Sequence, residues 1–365
     1  MKRVRIAQIG IAHDHATSIF DSLLRLDEIF EVKGFCVCDG EELLYEQQKE
    51  GVYARAARLT LEEVFLDPKP DAVVIEAQED ALTRYARLAI EAGVHVHMDK
   101  PGSTSQRTFE ELMRSAEKKR LTVHLGYMYR YNPAVRHAME VIERGGLGEI
   151  YSVEAHMDCL HEKKKRQWLG TFPGGMMYFL GCHLIDLIVR IQGVPEEVIP
   201  LNMATGFDNV TGTDYGMAVL KYPKGISFAK TSGVEPGGFL RRQLVICGEK
   251  GTIEIRPFEK YVATIGRERN MVTGIRETCR KEAETYGWNY QGDYRETEPV
   301  NRYDPMMTAF AAMVRGEKEN PYTYAYEITL HEILLKACGA EDLGKEGGTK
   351  HEGNIGRRKQ RAPLE

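Results

Sequence analysis

The sequence predicts an α/β protein: a doubly wound N-terminal Rossmann domain, then an α+β domain on a large, mostly antiparallel open sheet. Three observations carry this. Short apolar runs alternate with amphipathic stretches through the first third of the chain. From Asn132-Pro133 onward, strand-like runs follow one another with few helices between them. At 365 residues the chain is long for one core, so two domains are expected. Their bounds are set at residues 1–126 and 127–343, with a Gly/Lys/Arg-rich tail over 344–365 expected to be disordered.

In chain order, residues 4–9 read as a strand, 16–26 as a helix, 32–38 as a strand and 43–49 as a helix. Residues 61–65 form a short helix with Thr60 as N-cap and Glu63 three positions on. Strand 72–75, helix 81–92 closed by Gly93, strand 94–98, helix 108–119 and strand 122–125 complete the alternation. Next, Asn132 caps a helix over 133–144 that carries Pro133 at its first position and stops at Gly145-Gly146. A helix over 176–192 follows, and strands are expected at 150–157, 217–222, 226–231, 240–247 and 251–256. Helices 305–314 and 325–338 close the chain, while Lys163-Lys164-Lys165-Arg166 reads as a solvated loop.

Bulk properties exclude several classes of function. A net charge of −5 argues against a nucleic-acid binder. No apolar run is long enough to span a bilayer, and the N-terminus enters a strand directly, so no membrane partner is expected. Seven scattered cysteines suit reduced thiols and a cytoplasmic setting better than a disulfide framework. No Cys/His spacing of metal type is evident, and no metal is predicted.

The first strand runs into Gly10-Ile11-Ala12-His13-Asp14-His15, the place of a dinucleotide-binding turn. Of the usual G-x-G-x-x-G only Gly10 is kept; Ala12 and His15 fill the other two places. Gly10, Ile11, Ala12, His13 and His15 are thus candidate cofactor residues, with Glu76 at the tip of the strand over 72–75. Asp39 ends the second strand, where an acid accepts both ribose hydroxyls and repels a 2′-phosphate. No Arg or Lys follows it directly, which favours NAD over NADP. Lys100, in His97-Met98-Asp99-Lys100-Pro101, sits at a strand tip, where open α/β sheets place their ligands.

These motifs, with Gly126-Tyr127-Met128-Tyr129-Arg130-Tyr131-Asn132-Pro133, Gly174-Gly175, Gly181-Cys182-His183-Leu184-Ile185-Asp186 and Val245-Ile246-Cys247-Gly248-Glu249-Lys250-Gly251-Thr252-Ile253-Glu254, resemble the glucose–fructose oxidoreductase / inositol dehydrogenase / MocA (Gfo/Idh/MocA) family. The resemblance covers roughly residues 4–340, with Asp99-Lys100-Pro101 in place of the family's E-K-P. It implies NAD(P)-dependent oxidation or reduction of a carbohydrate, at ring C3 of a glycoside in one version. Lys100 corresponds to the family lysine, which also contacts the cofactor, and His183 to the family histidine. Together they would handle the proton as hydride moves. Tyr127, Arg130, His156, Asp158, Trp168, Tyr178 and Asp186 are the candidate substrate contacts. His156 and Asp158 are paired on one strand face by the period of two. The open sheet implies a homodimer or homotetramer.

The sequence departs from the family at Phe179, four residues before His183, where many members carry an acid. Phenylalanine cannot take a proton, so Lys100 and His183 are left as the expected pair. Two other readings stay open: a lyase or glycosidase that keeps its NAD and oxidises the sugar transiently, and a sugar- or NAD-binding protein of the same fold without catalysis.

Overall fold

The computed structural model describes residues 2–262 and 270–340. Its first part contains β1 (Val4–Ile9), α1 (Ala16–Arg25), β2 (Phe30–Cys36), α2 (Glu42–Gln48), β3 (Arg58–Leu59), α3 (Leu61–Phe65), β4 (Ala72–Ile75), α4 (Leu82–Glu91), β5 (His95–Met98), α5 (Gln106–Lys119) and β6 (Val123–Leu125). The strands form a six-stranded sheet in the order β3-β2-β1-β4-β5-β6, and every pair is parallel. All four residues of β4 are buried, as expected of a strand covered on both faces by helices. The order reverses between β1 and β4. Their C-terminal ends, Ile9 and Ile75, therefore open onto the crevice where doubly wound sheets bind ligands.

Local signals place several boundaries. Thr60 and Glu63 make a complete capping box at α3. Asn132 accepts the amides of Ala134 and Val135 to start α6 (Pro133–Glu143). The second part continues with β7 (Ile150–Asp158), α7 (Lys163–Leu169), α8 (Cys182–Gln192), β8 (Glu197–Pro200), β9 (Tyr215–Tyr222), β10 (Gly225–Ser232), β11 (Gln243–Gly248), β12 (Gly251–Ile255), β13 (Lys260–Tyr261), β14 (Asn270–Val272), β15 (Gly274–Cys279), α9 (Arg280–Tyr286), β16 (Asp293–Glu296), β17 (Val300–Asn301), α10 (Asp304–Val314) and α11 (Tyr324–Ala337). Eight strands form one sheet in the order β16-β15-β12-β11-β7-β10-β9-β8. It is antiparallel throughout except where β7 pairs β10. Alternate residues of β7, Val153, Ala155 and Met157, are buried on the face toward α8. The opposite face aligns Val219, Phe228 and Val245 with Glu154 across β9, β10, β11 and β7.

The last two helices return to the first sheet. Asp304 at the start of α10 accepts hydrogen bonds from Ser22 and Arg25 of α1. Asn320 donates to the Val123 carbonyl at 3.2 Å, and Tyr324 to that of Leu121 at 2.9 Å. His331 of α11 stacks on Phe109 of α5 with ring centroids 4.1 Å apart.

Three expectations are corrected. The second strand spans Phe30–Cys36 and not 32–38, because the Cys36 carbonyl takes the last ladder bond, from Gly10, and the Cys38 amide leaves the sheet to bond Glu41. Lys163–Leu169 is a helix, because Arg166, Leu169 and Trp168 turn inward while the lysines stay wetter. The helix expected over 176–192 opens with one π-helical turn, Met177–Gly181, before α8 proper. The tail expected from residue 344 lies outside the described residues. Among the described residues, no helix is long and apolar enough to cross a membrane.

Candidate active site

Gly10 makes the first turn possible. Its φ is +89°, and a Cβ there would lie 2.3 Å from the Ala77 amide nitrogen at the end of β4. The following amides are already engaged. Ile11 N–H donates to Glu41 Oε2 at 2.9 Å, as does Cys38 N–H, while His13 N–H donates to the Glu76 carbonyl at 3.0 Å. Amides that converge on an oxyanion in this way are built for an anion, and the Glu41 carboxylate stands where a phosphate oxygen would bind. Burial pushes the Glu41 carboxyl above its usual range, although the Cys38 and Ile11 amides favour its charge. The α2 helix that follows Glu41 has no fully buried residue, and only Leu44 and Tyr45 pack it against the core. The turn can thus take a dinucleotide phosphate in exchange for the Glu41 carboxylate.

Asp39 is exposed at the tip of β2, as the ribose-binding role requires. Arg84 of α4 lies 3.2 Å from its carboxylate, and Arg58 lines the same cleft. The lack of a cation directly after Asp39 therefore does not keep cations away from this site; two arrive from distant segments. Glu76, by contrast, is wholly buried and points inward rather than at a ribose.

At the tip of β5 the chain gathers a buried polar cluster. His15 Nδ1 lies 2.9 Å from Asp99 Oδ2, His13 Nδ1 lies 3.2 Å from the same oxygen, and Glu76 Oε2 lies 3.6 Å from His13 Nδ1. Burial would raise the Asp99 carboxyl, but the two histidines hold it well below the usual carboxylate range. Glu76 goes the other way, raised by burial and by Asp99 beside it. His15 fills the third glycine place because its ring turns from the helix–strand contact toward Asp99.

Lys100 is 1% exposed and donates from Nζ to the Phe179 carbonyl at 2.9 Å. Its ammonium also sits 4.3 Å from the centre of the Phe179 ring. The residue that replaces the family acid thus holds the lysine by its backbone and its ring. His183 is 1% exposed, edge-on to Tyr129 and Tyr127 at 5.0 and 5.9 Å, with neither ring nitrogen hydrogen-bonded. Burial, reinforced by the Lys100 charge, holds its pKa well below the ordinary value, so the imidazole is neutral. Lys100 and His183 face one cavity of about 540 Å³, shared with His15, His161, Arg242 and Tyr303.

None of the seven expected substrate contacts lines this cavity. Arg130 and Asp186 are corrected outright. Arg130 is 2% exposed, bonds Asp186 at 2.7 and 2.9 Å and Glu327 at 2.6 and 3.0 Å, and lies 3.8 Å from the Tyr322 ring centre. With all three guanidinium nitrogens engaged, it ties the strand exit to α8 and α11. Asp158 is likewise buried against Lys230 at 3.0 Å, and His156 lies on the open sheet face beside Phe228. Tyr178 stacks on Phe172, while Tyr127 lies behind His183. Trp168 packs against Phe179 from outside, with Lys165 4.1 Å above its ring. Sequence reasoning missed Glu41, which stands two positions after Asp39 in the same acidic turn. It also missed Lys165, whose ammonium pairs at 3.0 Å with Asp14 of the cavity lining and had read as loop charge.

Residues 6–127 match the family model described as "Oxidoreductase family, NAD-binding Rossmann fold", and residues 135–254 match the "GFO/IDH/MocA C-terminal domain". The Escherichia coli oxidoreductase YdgJ is 28% identical over 74% of this chain and 79% of its own. YhhX of the same organism is 36% identical, but over only 38% of this chain and 40% of its own. The yhhX crystal structure superposes with a TM-score of 0.68 at 23% identity, covering 92% of this chain and 96% of that one. Two more distant relatives carry substrate names: the scyllo-inositol 2-dehydrogenase (NADP(+)) IolW of Bacillus subtilis and the D-glucoside 3-dehydrogenase of E. coli. Each is 26% identical, over 45% and 36% of this chain and 46% and 38% of their own lengths.

Proposed function

Because the chain belongs to the Gfo/Idh/MocA oxidoreductases, with their NAD-binding Rossmann fold, we propose that it transfers hydride at a hydroxyl-bearing carbon of a sugar or glycoside. When bound, the nicotinamide dinucleotide supplies the hydride acceptor or donor. The observation that carries the reading is the convergence of Lys100 and His183 on one cavity, with both His183 nitrogens uncommitted. In this reading the Lys100 ammonium polarises the substrate oxygen and favours the alkoxide as the C–H bond weakens. His183, neutral and buried, receives the hydroxyl proton in oxidation and returns it in reduction. The Phe179 ring and carbonyl fix the lysine. The sugar-dehydrogenase names of IolW and the glucoside dehydrogenase support the substrate class. Asp39 favours NAD through the ribose, while Arg84 and Arg58 offer a 2′-phosphate a counter-charge. Both cofactors therefore belong in the assay. Unpaired cysteines suit a cytoplasmic setting, and the Val219–Phe228–Val245 face of the sheet is the proposed contact with further copies.

The test is absorbance at 340 nm with NAD or NADP and a panel of polyols, free sugars and glycosides. Cofactor-linked signal with one of these classes is expected. Silence across the panel, with dinucleotide binding demonstrated separately, would overturn net hydride transfer.

Glu41→Ala should tighten dinucleotide binding by about tenfold, the equivalent of about 1.4 kcal/mol, because it vacates the Ile11 amide and removes a competing negative charge. Calorimetric titration of both proteins measures it. Equal or weaker binding in the variant would mean that the carboxylate does not compete for the cradle.

A further inference from the structure

Four buried groups converge beneath Lys100 from three strand tips: His13 and His15 after β1, Glu76 after β4 and Asp99 after β5, at 3%, 9%, 0% and 0% exposure. We propose that they form a binding site for a divalent first-row transition cation, zinc by the nature of its ligands, held by His13 Nδ1, His15 Nδ1, Asp99 Oδ2 and Glu76 Oε2. The inference goes beyond the dehydrogenase reading and does not depend on it.

Spacing is the first support. Two ligands of a tetrahedral zinc at bond lengths of about 2.0–2.1 Å stand about 3.3–3.4 Å apart. The separations here are 2.9, 3.2 and 3.6 Å for His15–Asp99, His13–Asp99 and His13–Glu76. His13, His15 and Asp99 thus offer three ligand atoms, all within 4.8 Å of one another, and Glu76 Oε2, near His13 but outside that group, moves in to complete the shell.

The second support is the hydrogen bonding of His13. Its Nε2 faces the Lys100 carbonyl at 3.2 Å and can only donate there, while Nδ1 receives the His15 amide at 3.3 Å. With Nδ1 deprotonated, its lone-pair side faces Asp99 Oδ2 at 3.2 Å and Glu76 Oε2 at 3.6 Å as well as the His15 amide, and a cation among these oxygens would take the place of the proton that otherwise reconciles them. Glu76 makes the same point independently, because neither of its buried oxygens has a hydrogen-bond partner.

An outer shell is also present. The Lys100 carbonyl orients His13, and the Lys100 amide donates to Asp99 Oδ1 at 2.6 Å, leaving Oδ2 for the ion. Imidazole with carboxylate suits zinc, iron or nickel better than magnesium or calcium. Of the four ligands only His15 also lines the cavity that Lys100 and His183 face, so the ion would sit behind the cavity wall and fix His15 and the Lys100 backbone.

The competing occupant is a proton shared by Glu76, Asp99 and the imidazoles. Full-length protein, stripped with chelator, is titrated with Co²⁺ and, separately, Zn²⁺. One equivalent should bind with micromolar affinity or better, and Co²⁺ should give visible d–d absorption of tetrahedral type. His15→Gln and Asp99→Asn should each weaken binding about 100-fold or more. Absence of saturable binding up to about 1 mM, or unchanged affinity in both variants, would overturn the site and leave the proton or surface thiols as the answer. Should the variants not fold, the wild-type melting temperature decides. Zn²⁺ at about 100 times its dissociation constant stabilises by about 2.7 kcal/mol, and no rise in melting temperature overturns the proposal.

Discussion

Replacing Lys100 with methionine should lower cofactor-linked turnover by about 10²–10⁴-fold while leaving the protein as stable as before or more so. The two halves of this expectation have one cause. Lys100 is 1% exposed and makes no ion pair within 4.0 Å among the described residues; its ammonium is held by a carbonyl and a ring. Burying a charge with so little compensation is unfavourable to folding, and methionine fills a similar volume against Phe179 without that penalty. In the proposed chemistry that charge acts at the cavity, which is what the substitution tests. Steady-state kinetics and a thermal melt on the same preparation measure both halves. Turnover within threefold of wild type would remove Lys100 from the proposed chemistry.

The second large effect concerns stability. Arg130→Met should destabilise the protein by about 3–5 kcal/mol, because it leaves Asp186 and Glu327 buried and facing each other without their cation. Burial already raises the Glu327 carboxyl, against the pull of Arg130. Denaturant unfolding of the single variant and of Arg130→Met/Asp186→Asn/Glu327→Gln tests the cause as well as the size. Recovery of stability in the triple variant is expected. A loss below about 1 kcal/mol in the single variant would show that the network is not what joins these helices.

The contrast between these two residues shows what the sequence made legible. The place of Lys100 at a strand tip is legible because its setting is local: an apolar strand, a tip and a stiffening proline. The capping box at Thr60 and the Asn132-Pro133 start of α6 were legible for the same reason. Arg130 was misread because its partners lie 56 and 197 positions away, and nothing near it tells a saturated guanidinium from one awaiting a substrate. The His13–His15–Asp99 cluster escaped for a related reason. An H-x-H pair has no metal spacing by itself, and Asp99 joins it only when β1 and β5 lie in one sheet. Two-residue strands such as β3 and β17 carry too few side chains to show alternation.

The return of α10 and α11 to the first sheet has a consequence for the chain's life on the ribosome. β6 is the edge of that sheet, and the carbonyls of Val123 and Leu121 are claimed by Asn320 and Tyr324. Roughly two hundred residues must be synthesised between the strand and the groups that cover it. Throughout that interval the nascent N-terminal sheet presents an unsealed edge, the feature that invites pairing with a neighbouring chain. Vectorial synthesis thus completes the cofactor-binding half of the molecule last, although its sequence comes first.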